Sequence, residues 1–351
     1  MQFSRSSVWG ATLLGLSMVA VSGTSRAEHR SGAQICTLGS SGVGQPAAVV
    51  CMDVLSGETT QQVPVGATVS AAGGIAGSLS VRDDRVLVTN QAGGAILFRL
   101  VDGRLRAPVI LQTDGEGSLS GALADDGAYV LTGTRLRFFP RGQTTASSAR
   151  ALILGDGSAA AVTLTNRFAY VSEKNGTLEG FPLGHDGQLV GSASPVAGIS
   201  PGVIVGITGL ERLVVAPIAH LASNPNQAEI SVSSRLAQVQ RVPTKEVAAC
   251  WAANDDDEVC VSNPGSMTVS CGHAGAEGFL SYTSAAASLP GESVFDLDMW
   301  QGLVGLQGVA GGKPVMMVFR RTEGDFLAPL SELPLDTAAA AGALLLPALS
   351  R

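Results

Sequence analysis

The 351-residue sequence repeats one pattern of short strands and tight turns. Its clearest copy, residues 77–111, contains the β-rich runs SLSV, RVLVTN, AILFRLV and RLRAPVIL, separated by the turn sequences RDD, QAGG and DG. Six such copies lie between residues 76 and 331, and their third strands end roughly 37 to 50 residues apart. A period of about 40 to 45 residues with four strands in each copy is typical of β-propeller blades.

The two ends of the chain complete a seventh blade. Residues 33–65 offer only three strands, AQICTL, AAVVCMDVL and TQQVPV, whereas the tail contains a spare apolar strand, AGALLLP. Pairing this tail with the first three strands removes an unpaired edge from both ends of the array. The sequence therefore predicts an all-β, seven-bladed β-propeller closed by its C-terminal strand; six or eight blades fit less well. A β-sandwich also has many short strands, but it has no reason to repeat one pattern at a near-constant period.

The first 27 residues are typical of a cleaved export signal. Arg5 precedes an apolar stretch at residues 11–22, and small residues, Ser25 and Ala27, stand just before Glu28. This stretch is too short to span about 30 Å of hydrocarbon as a helix. We therefore expect residues 1–27 to be removed as a signal peptide. Residues 28–351 then form one propeller domain in the periplasm or outside the cell, and no transmembrane segment is expected in it.

The charge balance narrows the choice of partners. Acidic residues outnumber basic ones by 29 to 22, and no basic cluster forms. A net charge of −7 argues against nucleic acid or an anionic membrane surface as the main partner. The glycine-rich stretches lack a following helix and so are not phosphate-binding loops. The sequence predicts no cofactor, and it fits a monomer that binds a small molecule.

Four segments resemble a known family. They are RVLVTN (85–90), RFAYVSEKNGTLEGFPLGHDGQL (167–189), CWAANDDDEVCVSNPGSMTVS (250–270) and GFLSYT (278–283). They resemble the lactonase-type, YVTN-like β-propellers, a group that includes bacterial 6-phosphogluconolactonases, and the resemblance extends over residues 33–347. It implies a hydrolase that opens a small sugar or organic-acid lactone. Because propellers of this type also serve as binding modules, a non-catalytic scaffold in the cell envelope is the alternative.

Two residues are candidates for catalysis. The resemblance implies Glu, His and Arg side chains around the central channel, yet no such set can be aligned with this sequence. Glu173 follows the strand AYVS and could activate a water molecule that attacks a lactone carbonyl; an ordinary EKNG hairpin turn is the competing interpretation. His220 lies in the polar insertion AHLASNPNQ and could act as a general base. A plain surface loop is the competing interpretation there.

Two aspartates are weak candidates for a metal site. Asp296 and Asp298 alternate in SVFDLDMW, so a strand would carry both carboxylates on one face. Two carboxylates could bind a metal ion or share a proton, but such acids more often accept hydrogen bonds from neighbouring backbone. The acidic run NDDDE (254–258) lacks the loop pattern of an EF-hand and reads as a solvated hairpin turn. No metal site is predicted.

Five cysteines permit disulfides in an exported chain. Cys36 and Cys51 fall on adjacent predicted strands and are one candidate pair. Cys250 and Cys260 flank the NDDDE turn and are the other, because a hairpin midpoint near residue 255 would place them opposite each other. Cys271 competes for either partner, so one cysteine stays free or pairs outside the chain.

Overall fold

The computed structural model describes residues 32–42, 45–68, 78–219, 228–275, 280–322 and 327–348. The predicted signal peptide and His220 lie outside these residues. Within them, no helix has the length and apolar character needed to cross a membrane. In chain order the strands are β1 (Ala33–Ser40), β2 (Pro46–Asp53), β3 (Thr59–Thr68), β4 (Leu79–Arg82), β5 (Arg85–Val88), β6 (Ala95–Val101), β7 (Arg104–Leu111), β8 (Ser118–Ala124), β9 (Gly127–Thr132), β10 (Arg135–Pro140), β11 (Ser148–Ala151), β12 (Ala159–Leu164), β13 (Phe168–Glu173), β14 (Leu178–Pro182), β15 (Ser194–Pro195), β16 (Thr208–Gly209), β17 (Val214–Ile218), β18 (Glu229–Ser234), β19 (Ala237–Pro243), β20 (Trp251–Asp255), β21 (Glu258–Asn263), β22 (Thr268–Ala274), β23 (Leu280–Ser288), β24 (Ser293–Trp300), β25 (Leu303–Ala310), β26 (Lys313–Arg321), β27 (Leu327–Pro334) and β28 (Ala339–Pro347).

These strands form seven four-stranded antiparallel sheets arranged in a ring. Blade 1 has the order β28-β1-β2-β3, and blades 2 to 7 follow along the chain as β4–β7, β8–β11, β12–β15, β16–β19, β20–β23 and β24–β27. The seven-bladed propeller predicted from the repeat is therefore confirmed. Because neighbouring strands are antiparallel, the turn between the first and second strands and the turn between the third and fourth lie on the same face of the ring.

The C-terminal strand closes the ring as its apolar sequence predicts. β28 runs antiparallel to β1, from Ala33 opposite Pro347 to Ser40 opposite Ala339. All its residues except the last are buried, since an inner strand is covered on both faces by neighbouring blades. Blade 7 also holds the strand directly, because the carboxylate of Asp298 accepts a hydrogen bond from the N–H of Leu345 at 2.8 Å.

Local sequence sets both the turns and the narrow centre. Asp102 and Gly103 join β6 to β7 with φ angles of 51° and 72°, the left-handed pair that a two-residue type I′ hairpin needs. Near the axis, blades 4 and 5 approach so closely that a Cβ on Gly209 would lie 1.9 Å from the carbonyl oxygen of Leu164. Small residues on the inner strands therefore allow the sheets to converge.

Two disulfides are present, and one differs from the sequence prediction. Cys36 and Cys51 are cross-strand partners of β1 and β2 and are bonded, as predicted. Cys260, however, is bonded to Cys271 of the next strand, and Cys250 is free. The hairpin between β20 and β21 turns at residues 256–257, later than predicted, so that Ala253 faces Cys260. The predicted Cys250–Cys260 pair is therefore wrong, and two disulfides fit an exported protein.

Candidate functional site

A groove lies between blades 2 and 3, on the face that carries the turns β4–β5 and β6–β7. It exists because the outer strand of blade 3 is short: β11 pairs only with Arg135 to Phe138 of β10. Phe139 and Pro140 thus have no outer strand beside them. On the opposite side β7 bulges, since two residues, Ala107 and Pro108, face only Phe98 between neighbouring pairs. Ala107 has a φ of 47°, which is unusual for a residue with a side chain, and such bulges bend a strand.

The walls of the groove are mainly apolar. Its volume is about 450 Å³, within the range of small-molecule sites. Leu97, Val109 and Leu111 line it from blade 2, and Ala128 and Phe139 line it from blade 3. Phe139 and Leu111 are fully buried, whereas Val109 keeps 41% of its surface exposed. An apolar group of a small molecule in the groove would therefore contact side chains of both blades.

Three arginines, Arg85, Arg99 and Arg141, and one acid, Asp84, also line the groove. Arg99 pairs with Asp84 at 3.1 Å, and both side chains are substantially exposed. The hydrogen bond from Arg99 holds the pKa of Asp84 below its ordinary value. Arg85 is different because it is only 5% exposed. Burial lowers the pKa of its guanidinium, and the positive charge of Arg141 lowers it further.

Among the described residues, Arg85 donates to backbone carbonyls and forms no ion pair, although the charges of Asp83 and Asp84 are near enough to raise its pKa. Its Nη2 donates to the carbonyl of Ala124 at 2.5 Å and its Nη1 to that of Gly127 at 3.4 Å. Its Nε is buried and finds no acceptor in the described part of the chain. A buried cation without an ion-pair partner is costly, so this corner of the groove favours a negative charge.

The predicted base Glu173 is fully buried in blade 4. Its Oε2 accepts hydrogen bonds from the hydroxyl of Ser158 and the amide of Asn175, each at 3.1 Å. Its carboxyl group is hydrogen-bonded to that of Glu179, which is also fully buried. The Oε1 atoms of the two glutamates find no other donor among the described residues. The two carboxyl groups therefore interact directly in the interior. The EKNG segment forms the hairpin turn that was the competing interpretation.

Burial raises the pKa of Glu179 to about 8; the backbone N–H of Ile153 opposes this rise, and the carboxyl of Glu173 adds to it. The folded chain therefore keeps a proton that the unfolded chain loses near pH 4.5. By linkage, the contribution of Glu179 to the free energy of unfolding falls as pH rises from about 4.5 to about 8.

The variant Glu179→Gln stays uncharged at every pH. We expect the difference in Tm between Glu179→Gln and wild type to increase in favour of the variant by about 3 °C or more from pH 5 to pH 9. Calorimetry at stepped pH measures this gain. The exposed Glu332→Gln is the control, and parallel pH profiles for Glu179→Gln and wild type would contradict the prediction.

Asp296 and Asp298 lie on β24, the inner strand of blade 7, and both accept backbone hydrogen bonds. Asp296 accepts the N–H of Leu297 at 2.9 Å, and Asp298 holds Leu345 of the closing strand. Burial raises the pKa of Asp298 to about 7. No group of three or more His, Cys, Asp or Glu residues is arranged around a metal position in the described ranges. Both aspartates thus accept hydrogen bonds from the backbone, which was the alternative to a metal site in the sequence analysis.

A second cavity, of about 320 Å³, lies between blades 6 and 7. The acidic turn around Asp256 lines it, together with Arg321 and Thr322. Arg321 forms an ion pair with Glu258. The acidic run is therefore a hairpin turn at the mouth of a cavity, and its last carboxylate is neutralised by the adjacent blade.

Sequence reasoning missed the groove and its arginines. One signal was available: in the predicted blades Arg85, Arg99 and Arg141 all stand beside turns that belong to the same face of the ring. The depth of the groove could not be predicted from the sequence, because it depends on the short length of β11 and on the bulge in β7.

No protein-family model matches the chain, and no curated protein matches it in sequence. Solved structures match its fold. A functionally unknown protein from Desulfotomaculum acetoxidans is 13% identical, with 90% of this chain and 99% of that one covered and a TM-score of 0.63. A protein of Bacteroides fragilis, named as a candidate 6-phosphogluconolactonase, is 13% identical over 90% and 98% of the two chains, with a TM-score of 0.62. The periplasmic gluconolactonase of Pseudomonas aeruginosa is 12% identical over 91% and 100%, with a TM-score of 0.60. At these identities the matches show the propeller fold alone.

Proposed function

We propose that this protein is an exported, monomeric binding propeller that holds a small molecule with an apolar body between blades 2 and 3. The observation that carries the proposal is the open groove of about 450 Å³ with apolar walls. A propeller ring is rigid, and sites formed where rigid elements diverge need little rearrangement to accept a ligand. The disulfides support export, and the periplasmic gluconolactonase among the fold neighbours supports the periplasm as the compartment.

Filling the groove tests the proposal. Val109→Trp places a large side chain in the groove from an exposed position on β7, so we expect loss of binding with an unchanged fold. The matched control is Val239→Trp, because Val239 is 46% exposed on β19, the outer strand of blade 5. Isothermal titration calorimetry with octanol and octanoate measures binding. Loss of at least tenfold in affinity in Val109→Trp only is the expected result.

Two outcomes contradict the proposal. If neither compound binds the wild-type protein, the groove is not a site for small apolar molecules. If both bind Val109→Trp as tightly as wild type, the binding site lies elsewhere.

Lactone hydrolysis is the second candidate, and the Glu173–Glu179 pair favours it. Two carboxyl groups that share a proton can divide the roles of acid and base. The fold neighbours named as lactonases support the same activity. In this proposal Glu173 activates water, and the surrounding turns must open to admit the substrate. A panel of sugar and organic-acid lactones tests it, with Glu173→Gln, Glu179→Gln and His220→Ala as variants. Turnover that Glu173→Gln abolishes supports hydrolysis, whereas absence of turnover on every lactone contradicts it.

A further inference from the structure

We infer that the ligand of the groove between blades 2 and 3 is an amphipathic organic anion whose carboxylate lies against Arg85. This inference rests on the proposed binding function and names the chemical class of the ligand. The apolar body of such a molecule would contact Leu97, Val109 and Phe139, which line the groove.

The first argument is the state of Arg85. A guanidinium offers five N–H donors and is always charged at neutral pH. Here it is 5% exposed, two of its nitrogens donate to backbone carbonyls, and its buried Nε has no acceptor in the part of the chain that the structure describes. A folded chain leaves few buried donors unpaired, and each exception calls for an explanation. A ligand carboxylate against the guanidinium would add a direct charged partner, which the more distant charges of Asp83 and Asp84 do not supply.

The second argument is charge complementarity. The whole chain has a net charge of −7. The residues that line the groove nevertheless include three arginines against one aspartate, a local balance of +2. Asp84, the one acid, is already paired with Arg99, and Arg141 lies 3.9 Å from it. The lining of the groove is therefore net positive although the chain as a whole is acidic, and a positive site of this kind raises the local concentration of anions.

The third argument is the division of the groove into apolar and charged parts. Pockets of this kind bury most of a ligand against apolar side chains and fix its orientation with a few polar groups. A neutral molecule would leave Arg85 unpaired and would bury it further from water. A small hydrophilic anion such as acetate would leave the apolar walls exposed. A carboxylate with a chain of about eight carbons satisfies both parts of a pocket of this size.

Calorimetric titration with octanoate, octanol and octylamine, which share a chain length and differ in the head group, tests the inference. A hydrogen bond to a charged group contributes enough for octanoate to bind about tenfold more tightly than octanol. Octylamine is expected to bind more weakly than octanol. If octanol and octanoate bind equally and Val109→Trp blocks both, the inference about the anion fails while the proposed function stands. If none of the three binds, both fail.

Removing the charge completes the test. Arg85→Gln is expected to remove the tenfold preference for octanoate over octanol, measured as the ratio of the two affinities within the variant. The matched control is Arg135→Gln, an exposed arginine on β10 that does not line the groove. Because Arg85 also links blades 2 and 3, a second variant, Arg99→Gln with Arg141→Gln, removes only exposed charges. It is expected to reduce the preference about two- to fivefold. A preference that survives in both variants would overturn the role of the arginines.

Discussion

Leu345→Asp is expected to prevent most of the chain from folding. Leu345 is 1% exposed on the closing strand, opposite Ile35 of β1. It also packs against blade 7, where a Cβ on Gly305 would lie 3.2 Å from its Cγ. Losing a buried leucine costs about 2–5 kcal/mol, and an unpaired buried carboxylate adds to this cost. The sum is comparable to the whole stability of a domain, about 5–15 kcal/mol.

Size-exclusion chromatography and circular dichroism of the purified protein check this expectation. The variant should give aggregates or little soluble protein, whereas wild type gives one cooperative thermal transition. Leu55→Asp is the control because Leu55 is 63% exposed, and surface changes usually cost no more than about 0.5 kcal/mol. A Leu345→Asp protein with a wild-type Tm would show that the closing strand does not hold the ring together.

The double variant Cys36→Ser, Cys51→Ser is expected to lose about 3 kcal/mol of stability in the chain-entropy description of a 15-residue loop. The bridge ties β1 to β2, and β1 is the strand that receives β28. Without it, the first hairpin of blade 1 gains freedom in the unfolded chain. Denaturant titration under oxidising conditions measures the loss as a lower midpoint.

Cys250→Ser is the control for this experiment because Cys250 has no disulfide partner. Its midpoint should stay close to that of wild type. Reducing agent, which also opens Cys260–Cys271, should bring the wild-type midpoint down to that of the double variant or below it. A thiol titration of the unfolded wild type should find one free cysteine, and two peptides joined through Cys260 and Cys271 should appear after digestion. A Cys250–Cys260 peptide would contradict the structure.

The sequence predicts the fold well because blades are built from local signals. The Asp102–Gly103 turn specifies a hairpin, and the apolar, β-branched run in RVLVTN specifies a strand, without help from distant residues. The tail is similarly informative, since a strand such as AGALLLP can only be stable with both faces covered.

Prediction failed where it needed the register of one turn or the position of a distant loop. A shift of about one and a half residues in the turn at Asp256 exchanges the partner of Cys260. The sequence allows an ordinary hairpin turn or catalysis for Glu173. It does not show that Glu179 meets Glu173 across the hairpin or that the backbone N–H of Ile153, in the preceding loop, donates to Glu179. The groove needs both a shortened β11 and a bulged β7, and neither is visible in residue spacing.

The adjacency of β1 and β28 also sets an order of events during synthesis. The first three strands of blade 1 are made early, yet their inner partner consists of residues 339–347. Until those residues emerge, β1 presents a bare hydrogen-bonding edge to any other nascent polypeptide. The annulus can thus be completed only after residues 339–347 have emerged, so a ribosome stalled before them would release a chain that is prone to aggregate.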